Sequence, residues 1–133
     1  MADLLNIPST VDVEMVSGDS KVIRVRMLVN EVTPQGTRRV AANLSEVTSI
    51  VWKMSKKING DAVLLKTMEG AGCTTVFMND YWYVDINLLE EDTKPTNGDP
   101  QIVGTFYHEC QVKRPGLTDT PFSGTITIKQ DSI

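Results

Sequence analysis

Histidine and cysteine are scarce in this chain of 133 residues, which has one histidine, His108, and two cysteines, Cys73 and Cys110. Two cysteines so far apart make neither a disulfide framework nor the short ligand spacing of a structural zinc site. Both are expected to be reduced and buried, packing as small hydrophobes. A single histidine leaves one candidate base for any catalytic triad. His108, Glu109 and Cys110 are consecutive, but strand alternation sends Glu109 to the face opposite its neighbours. His108 and Cys110 share a face and could join Cys73 and a carboxylate around a metal, yet tight loop spacings are missing. The expectation is a histidine at the edge of the core, hydrogen-bonded to backbone, with no metal and no cofactor.

Basic residues are also short: 13 Lys and Arg stand against 17 Asp and Glu, for a net charge of −4. The basic pairs, Arg24/Arg26, Arg38-Arg39 and Lys56-Lys57, are scattered among carboxylates, which speaks against a phosphate-binding face and so against nucleic acid as a partner. Glycine-rich phosphate loops are absent. No apolar run approaches the ~20 residues of a membrane-spanning helix, so no membrane partner is expected. Met1 to Pro8 has neither a basic start nor a long apolar core, so no secretory signal is read and the chain is expected to be made in a cytoplasm. In that setting Asn43-Leu-Ser45 is a chance match to a glycosylation acceptor. The acidic run Glu90-Glu91-Asp92, with Asp99 nearby, lacks the repeating spacing of a calcium loop and reads as solvated.

What is present is alternation. Tyr81–Leu88 places Trp82, Val84, Ile86 and Leu88 on one face and Tyr81, Tyr83, Asp85 and Asn87 on the other, the period of a half-buried strand. Residues 102–113 form a second strand, with Phe106, His108, Cys110 and Val112 on one face, and the two are expected to build one wall. Thr10–Val16 and Lys21–Val29 alternate likewise and suggest a hairpin that sets Asp12 or Glu14 near an arginine. Residues 30–43 read as a long connection, and Leu44–Val47 as one helical turn. Ile50, Trp52 and Met54 alternate with Val51, Lys53 and Ser55, and Asn59-Gly60 predicts a two-residue hairpin turn with Met54 facing Leu65 and Trp52 facing Thr67. Val63–Met68, Cys73–Met78 and 124–130 complete the strands, with 114–122 read as loop. Seven to eight short strands separated by turn signals, without a long helix, indicate an all-β antiparallel sandwich. Residues 1–9, with Leu4, Leu5 and Ile7 ahead of Pro8, are an apolar arm too short for a helix of their own. Residues 10–133 are a single domain.

Gly18-Asp-Ser20, the Leu44-Ser pair with the strand at 50–54, Val63-Leu-Leu-Lys66, Asp92-Thr93, Gly104-Thr-Phe-Tyr-His-Glu109 and Gly124-Thr-Ile-Thr-Ile128 follow one another in an order that resembles the immunoglobulin-like modules of tailed-phage virion proteins. The order is similar in particular to the N-terminal domain of the phage baseplate upper protein. The resemblance spans roughly residues 18–131; the connections at 30–43 and 93–101 are longer than it leads one to expect. It implies an immunoglobulin-like sandwich and a noncatalytic structural protein, made in the host bacterial cytoplasm and carried in the virion in many copies among other virion proteins. Candidate subunit contacts are Leu4, Leu5 and Ile7 of the arm, Tyr81 and Tyr83, and Glu90, Glu91 and Asp92 of the acidic loop, with free strand edges able to pair across subunits. Two other readings stay open. A carbohydrate-binding or adhesion module, taking a host glycan, needs Tyr81 and Tyr83 as an exposed platform. A small enzyme needs His108 accessible beside a partner such as Cys73.

Overall fold

Ser49–Ser55 is the strand on which the core is built, because its alternate residues Ile50, Trp52 and Met54 are all buried. A computed structural model describes residues 9–131. In chain order the strands are β1 (Ser9–Thr10), β2 (Val13–Val16), β3 (Lys21–Arg26), β4 (Leu28–Thr33), β5 (Gly36–Ala41), β6 (Ser49–Ser55), β7 (Ala62–Thr67), β8 (Cys73–Met78), β9 (Tyr81–Leu88), β10 (Gly104–Arg114) and β11 (Leu117–Lys129), with one helical turn, α1 (Glu90–Thr93), between β9 and β10. The larger sheet runs β1-β11-β10-β6-β7, with β2 also on β11, and the smaller runs β3-β9-β8. Buried side chains from both sheets form one cluster: Trp52, Cys110, Val112, Phe122, Ile126 and Ile128 from the larger meet Ile23, Val84, Ile86 and Leu88 from the smaller. The protein is therefore all-β, with two sheets sharing a single core.

Both strands expected at 81–88 and 102–113 form, but in different sheets. Val84 and Ile86 thus face Phe106 and Val112 across the core instead of lining one wall with them. The cause lies in the connection between them. Thr93 is buried; its carbonyl accepts from Ser17 Oγ at 2.9 Å and from Ile102 N at 2.7 Å, and its hydroxyl accepts from Gly18 N at 2.8 Å. This ties the crossing at 89–103 to the crossing at 17–20, so both chain reversals change sheet.

The expected hairpin of the first two long strands is absent for the same reason. Residues Val13–Val16 pair in parallel with Ile126–Lys129, and β3 pairs antiparallel with β9. Arg24 consequently meets Asp85, at 2.7 and 2.8 Å, rather than Asp12 or Glu14. The strand expected over 21–29 breaks at the buried Met27, whose N–H donates to Trp82 O.

Residues 30–43 are not a connection but most of a hairpin, β4–β5, which forms a two-stranded sheet of its own. It turns at Pro34-Gln35, with Thr33 paired to Gly36; proline fixes φ at the first turn position. Neither strand buries one clean face, so alternation does not announce it.

The register of β6 with β7 is one residue from that expected: Met54 faces Leu64 and Trp52 faces Lys66. Gly60 N donates to Lys57 O, so the turn centres on Ile58-Asn59, with Asn59 at φ 60°, and an irregularity between Met54 and Ser55 takes up the difference. A one-residue slip turns side chains over, and Leu65 is 53% exposed. Residues 114–122, read as loop, mostly belong to the long hairpin β10–β11. Pro115-Gly116 closes it with Gly116 at φ 76°, a conformation suited to the third position of a type II turn, and Pro121, which has no N–H to donate, sits where the pairing skips a residue. Leu44–Val47 is a β-turn, not a helix, with Val47 N donating to Leu44 O.

Candidate functional site

The outer face of the larger sheet carries two cross-strand rows near the start of β10. Lys53, Glu109 and Ser123 form one, and Ser55, Tyr107 and Thr125 the other. Two walls rise beside them: the β6–β7 turn with Ile58 and Asn59, and the N-terminal strand with Thr10 and Asp12. Together they enclose an open cleft of about 300 Å³. Lys53 Nζ donates to Gly60 O at 3.2 Å and lies 3.9 Å from Glu109, so its charge is partly engaged. Asp12 Oδ1 accepts from the N–H and the hydroxyl of Thr125, at 3.0 and 3.1 Å. Chiefly through the backbone N–H, these bonds hold its carboxyl below the usual carboxylate range.

His108 lies beneath this cleft, 2% exposed. Trp52 Nε1 donates to His108 Nδ1 at 3.0 Å, and His108 Nε2 lies 2.6 Å from Val11 O. Neutral imidazole protonated on Nε2 satisfies both bonds at once, and burial pushes the pKa down, which favours that neutral form. Both ring nitrogens are thus spent on structure. The accessible histidine that a small enzyme would need is not what the fold provides. Cys73 and Cys110 are buried thiols; desolvation raises Cys73 to about 11 and pushes Cys110 up further. Among the described residues no group of three or more His, Cys, Asp or Glu side chains is arranged to hold a metal ion.

Gly124 is the reason the N-terminal strand can lie here. A β-carbon at that position would meet Val11 O at 2.2 Å, so only glycine admits this approach of backbone to backbone. Val11 N donates to Ser123 O at 2.9 Å on the same rung.

The candidate contact residues fall in separate places. Tyr81 and Tyr83 lie on the outer face of the smaller sheet, each with a guanidinium over its ring: Arg26 is 4.6 Å from the Tyr81 centroid and Arg24 is 5.9 Å from that of Tyr83. An arginine thus takes a ring face that a pyranose would stack on. Hydrogen bonding to Asp85 raises the pKa of Arg24 further and keeps it charged. Glu90 and Glu91 are exposed on α1, whereas Asp92 turns inward, bonded to Leu89 N at 2.7 Å and to Lys66 Nζ at 2.5 Å. Leu4, Leu5 and Ile7 lie outside the described residues.

Alternation places the floor residues of the cleft on an outer face, so half of the site can be read from sequence. The walls cannot, because Asp12 reaches Thr125 only through a parallel pairing of distant segments. A scan against models of known protein families finds no match to the chain, and a search of curated proteins finds none.

Proposed function

We propose that the chain is a noncatalytic building block of a tailed-phage particle, present in many copies and held by its neighbours on the tail, baseplate, neck or capsid surface. The observation that carries this reading is the strand order. A three-stranded sheet β3-β9-β8 faces β7-β6-β10-β11, with the N-terminal strand parallel on β11. This order is similar to that of a variable-type immunoglobulin sandwich with its first strand moved onto the last, which supports an immunoglobulin-like reading. It is consistent with the order of motifs by which the sequence resembles the immunoglobulin-like modules of virion proteins. Fold alone assigns no function, so the structural role rests on two further features. Both nitrogens of the lone histidine are taken up in the core, and the β4–β5 hairpin forms a two-stranded sheet of its own with Val32 exposed. A lone two-stranded hairpin is marginal in water, which suits an element completed by a neighbour.

The test is mass spectrometry of purified particles of the phage encoding this chain, followed by antibody labelling in electron micrographs. A fixed, multi-copy stoichiometry and labelling at one place on the particle are expected. Absence from purified particles would overturn the reading.

A further inference from the structure

The hairpin and the cleft lie toward opposite ends of the domain. At one end, Met27 N, beside the hairpin base, donates to Trp82 O at the start of β9, and Thr48 N donates to Lys113 O at the end of β10. At the other end, Ser17 N donates to Lys129 O, and Gly104 at the start of β10 pairs with Ile128. The cleft, built around Tyr107 and the β6–β7 turn, sits toward this second end.

The two features also complement each other. On the hairpin, the pairs Asn30–Arg39 and Val32–Thr37 put Val32 and Arg39 on one face, with Val32 82% exposed and Arg39 exposed. Arg38 lies on the other face, 3.2 Å from Glu31. The hairpin therefore offers an apolar side chain beside a guanidinium that forms no ion pair among the described residues. The cleft offers the reverse: Ile58, 70% exposed, and Tyr107, 40% exposed, lie with the carboxylates of Asp12 and Glu109. A volume of about 300 Å³ is ample for one valine and one arginine side chain entering together.

The geometry points to a head-to-tail contact in which the β4–β5 hairpin of one copy enters the sheet-face cleft of a second copy, Arg39 between Asp12 and Glu109 and Val32 against Ile58 and Tyr107. The occupant is thus a second copy of this chain. This names a partner for the multi-copy role proposed above and rests on that reading. The two contacting surfaces differ, so the contact is heterologous and repeats into a ring or an open file. Arginine suits the bridging position because its planar fork serves two carboxylates at once.

The test uses the purified full-length chain in sedimentation velocity and native mass spectrometry at low ionic strength, comparing wild type with Arg39→Glu, Val32→Asp, Glu109→Arg and the double reversal of Arg39→Glu with Glu109→Arg. Arg39 and Val32 are exposed and Glu109 is half-buried beside Lys53, and unchanged circular dichroism and melting temperature verify the fold. Wild type is expected to associate with increasing concentration. Each single variant is expected to weaken association about tenfold or more, and the double reversal to recover most of that loss. A wild-type chain that stays monomeric, association indifferent to Arg39→Glu and Val32→Asp, or a double reversal no better than either single change would each overturn the proposal. The outcome is separate from the presence of the chain in particles, which tests the role itself.

Discussion

Gly124→Ala is the most incisive change available, because ordinary expectation and this structure disagree on its sign. Within a strand, alanine usually replaces glycine with a gain of about 0.5–1 kcal/mol, since glycine loses more freedom on folding. Here the new β-carbon would sit 2.2 Å from Val11 O, where contacts under 3.0 Å essentially never occur, so backbone must shift by roughly 0.8 Å. The shift disturbs the Val11 N–Ser123 O bond at 2.9 Å, the His108–Val11 O bond at 2.6 Å and the Asp12–Thr125 pair of bonds at 3.0 and 3.1 Å. At about 0.5–1.5 kcal/mol for each of these four bonds, the expected loss is about 2–6 kcal/mol. For a domain of this size that lowers the melting temperature by roughly 10 °C or more. Urea and thermal unfolding followed by tryptophan fluorescence would measure it, and limited proteolysis would show cleavage gained first within 9–16. A variant as stable as wild type, or more so, would refute the account of how the N-terminal strand is held.

Acidification should destabilise the protein in two stages. The folded-state pKa of His108 is lowered from 6.5, so its contribution is complete above about 6.5 and falls by up to about 1.4 kcal/mol per pH unit until the folded-state value is reached. Asp12, whose folded pKa is also lowered, adds its loss only as pH falls below 3.8; equal urea midpoints at pH 7.5 and 5 would contradict the role given to His108. Removing one partner of the Arg114–Asp119 pair, 3.0 Å apart with side chains 12% and 2% exposed, as in Arg114→Ala, should cost about 3 kcal/mol, and Asp119→Ala in the same chain should recover part of it. The recovery is read as the coupling term of a double-mutant cycle of urea midpoints. Both thiols should resist a disulfide reagent at pH 8 in the native protein and react at once in denaturant, since Cys73 is raised to about 11 and Cys110 still further; rapid native labelling would show that the core opens locally.

The elements legible in the sequence are those with one face buried. The stretch 81–88 is a strand to the residue, and alternation at 50–54 with Ile50, Trp52 and Met54 on one face matches their burial, because the period of alternation is set by burial. Where neither strand buries one clean face, as in β4 and β5, the same rule is silent and the residues read as a connection. Pairing partners were the second loss. Whether β3 joins β2 or β9 is decided by Thr93 and Ser17, which meet only after the chain has crossed the molecule. The β6–β7 register turned on one irregular residue that Asn59-Gly60 does not disclose. At the site, the fate of His108 as a core-edge histidine bonded to backbone was foreseeable from its face; its second bond, to Trp52, and the arginines over Tyr81 and Tyr83 depend on cross-strand neighbours that no local pattern supplies.

The parallel pairing of Val13–Val16 with Ile126–Lys129 sets a timetable for synthesis. A ribosome releases the N-terminal strand first, yet the strand that receives it follows all the other described strands. The smaller sheet has all three of its strands, β3, β8 and β9, well before that moment and can close first. Until β11 emerges, β2 has no place in the larger sheet, so the longest-range contacts of the fold form last. That interval is when the first strand of one chain can enter the sheet of another, and the delay before β11 emerges then governs how much of the product is correctly closed.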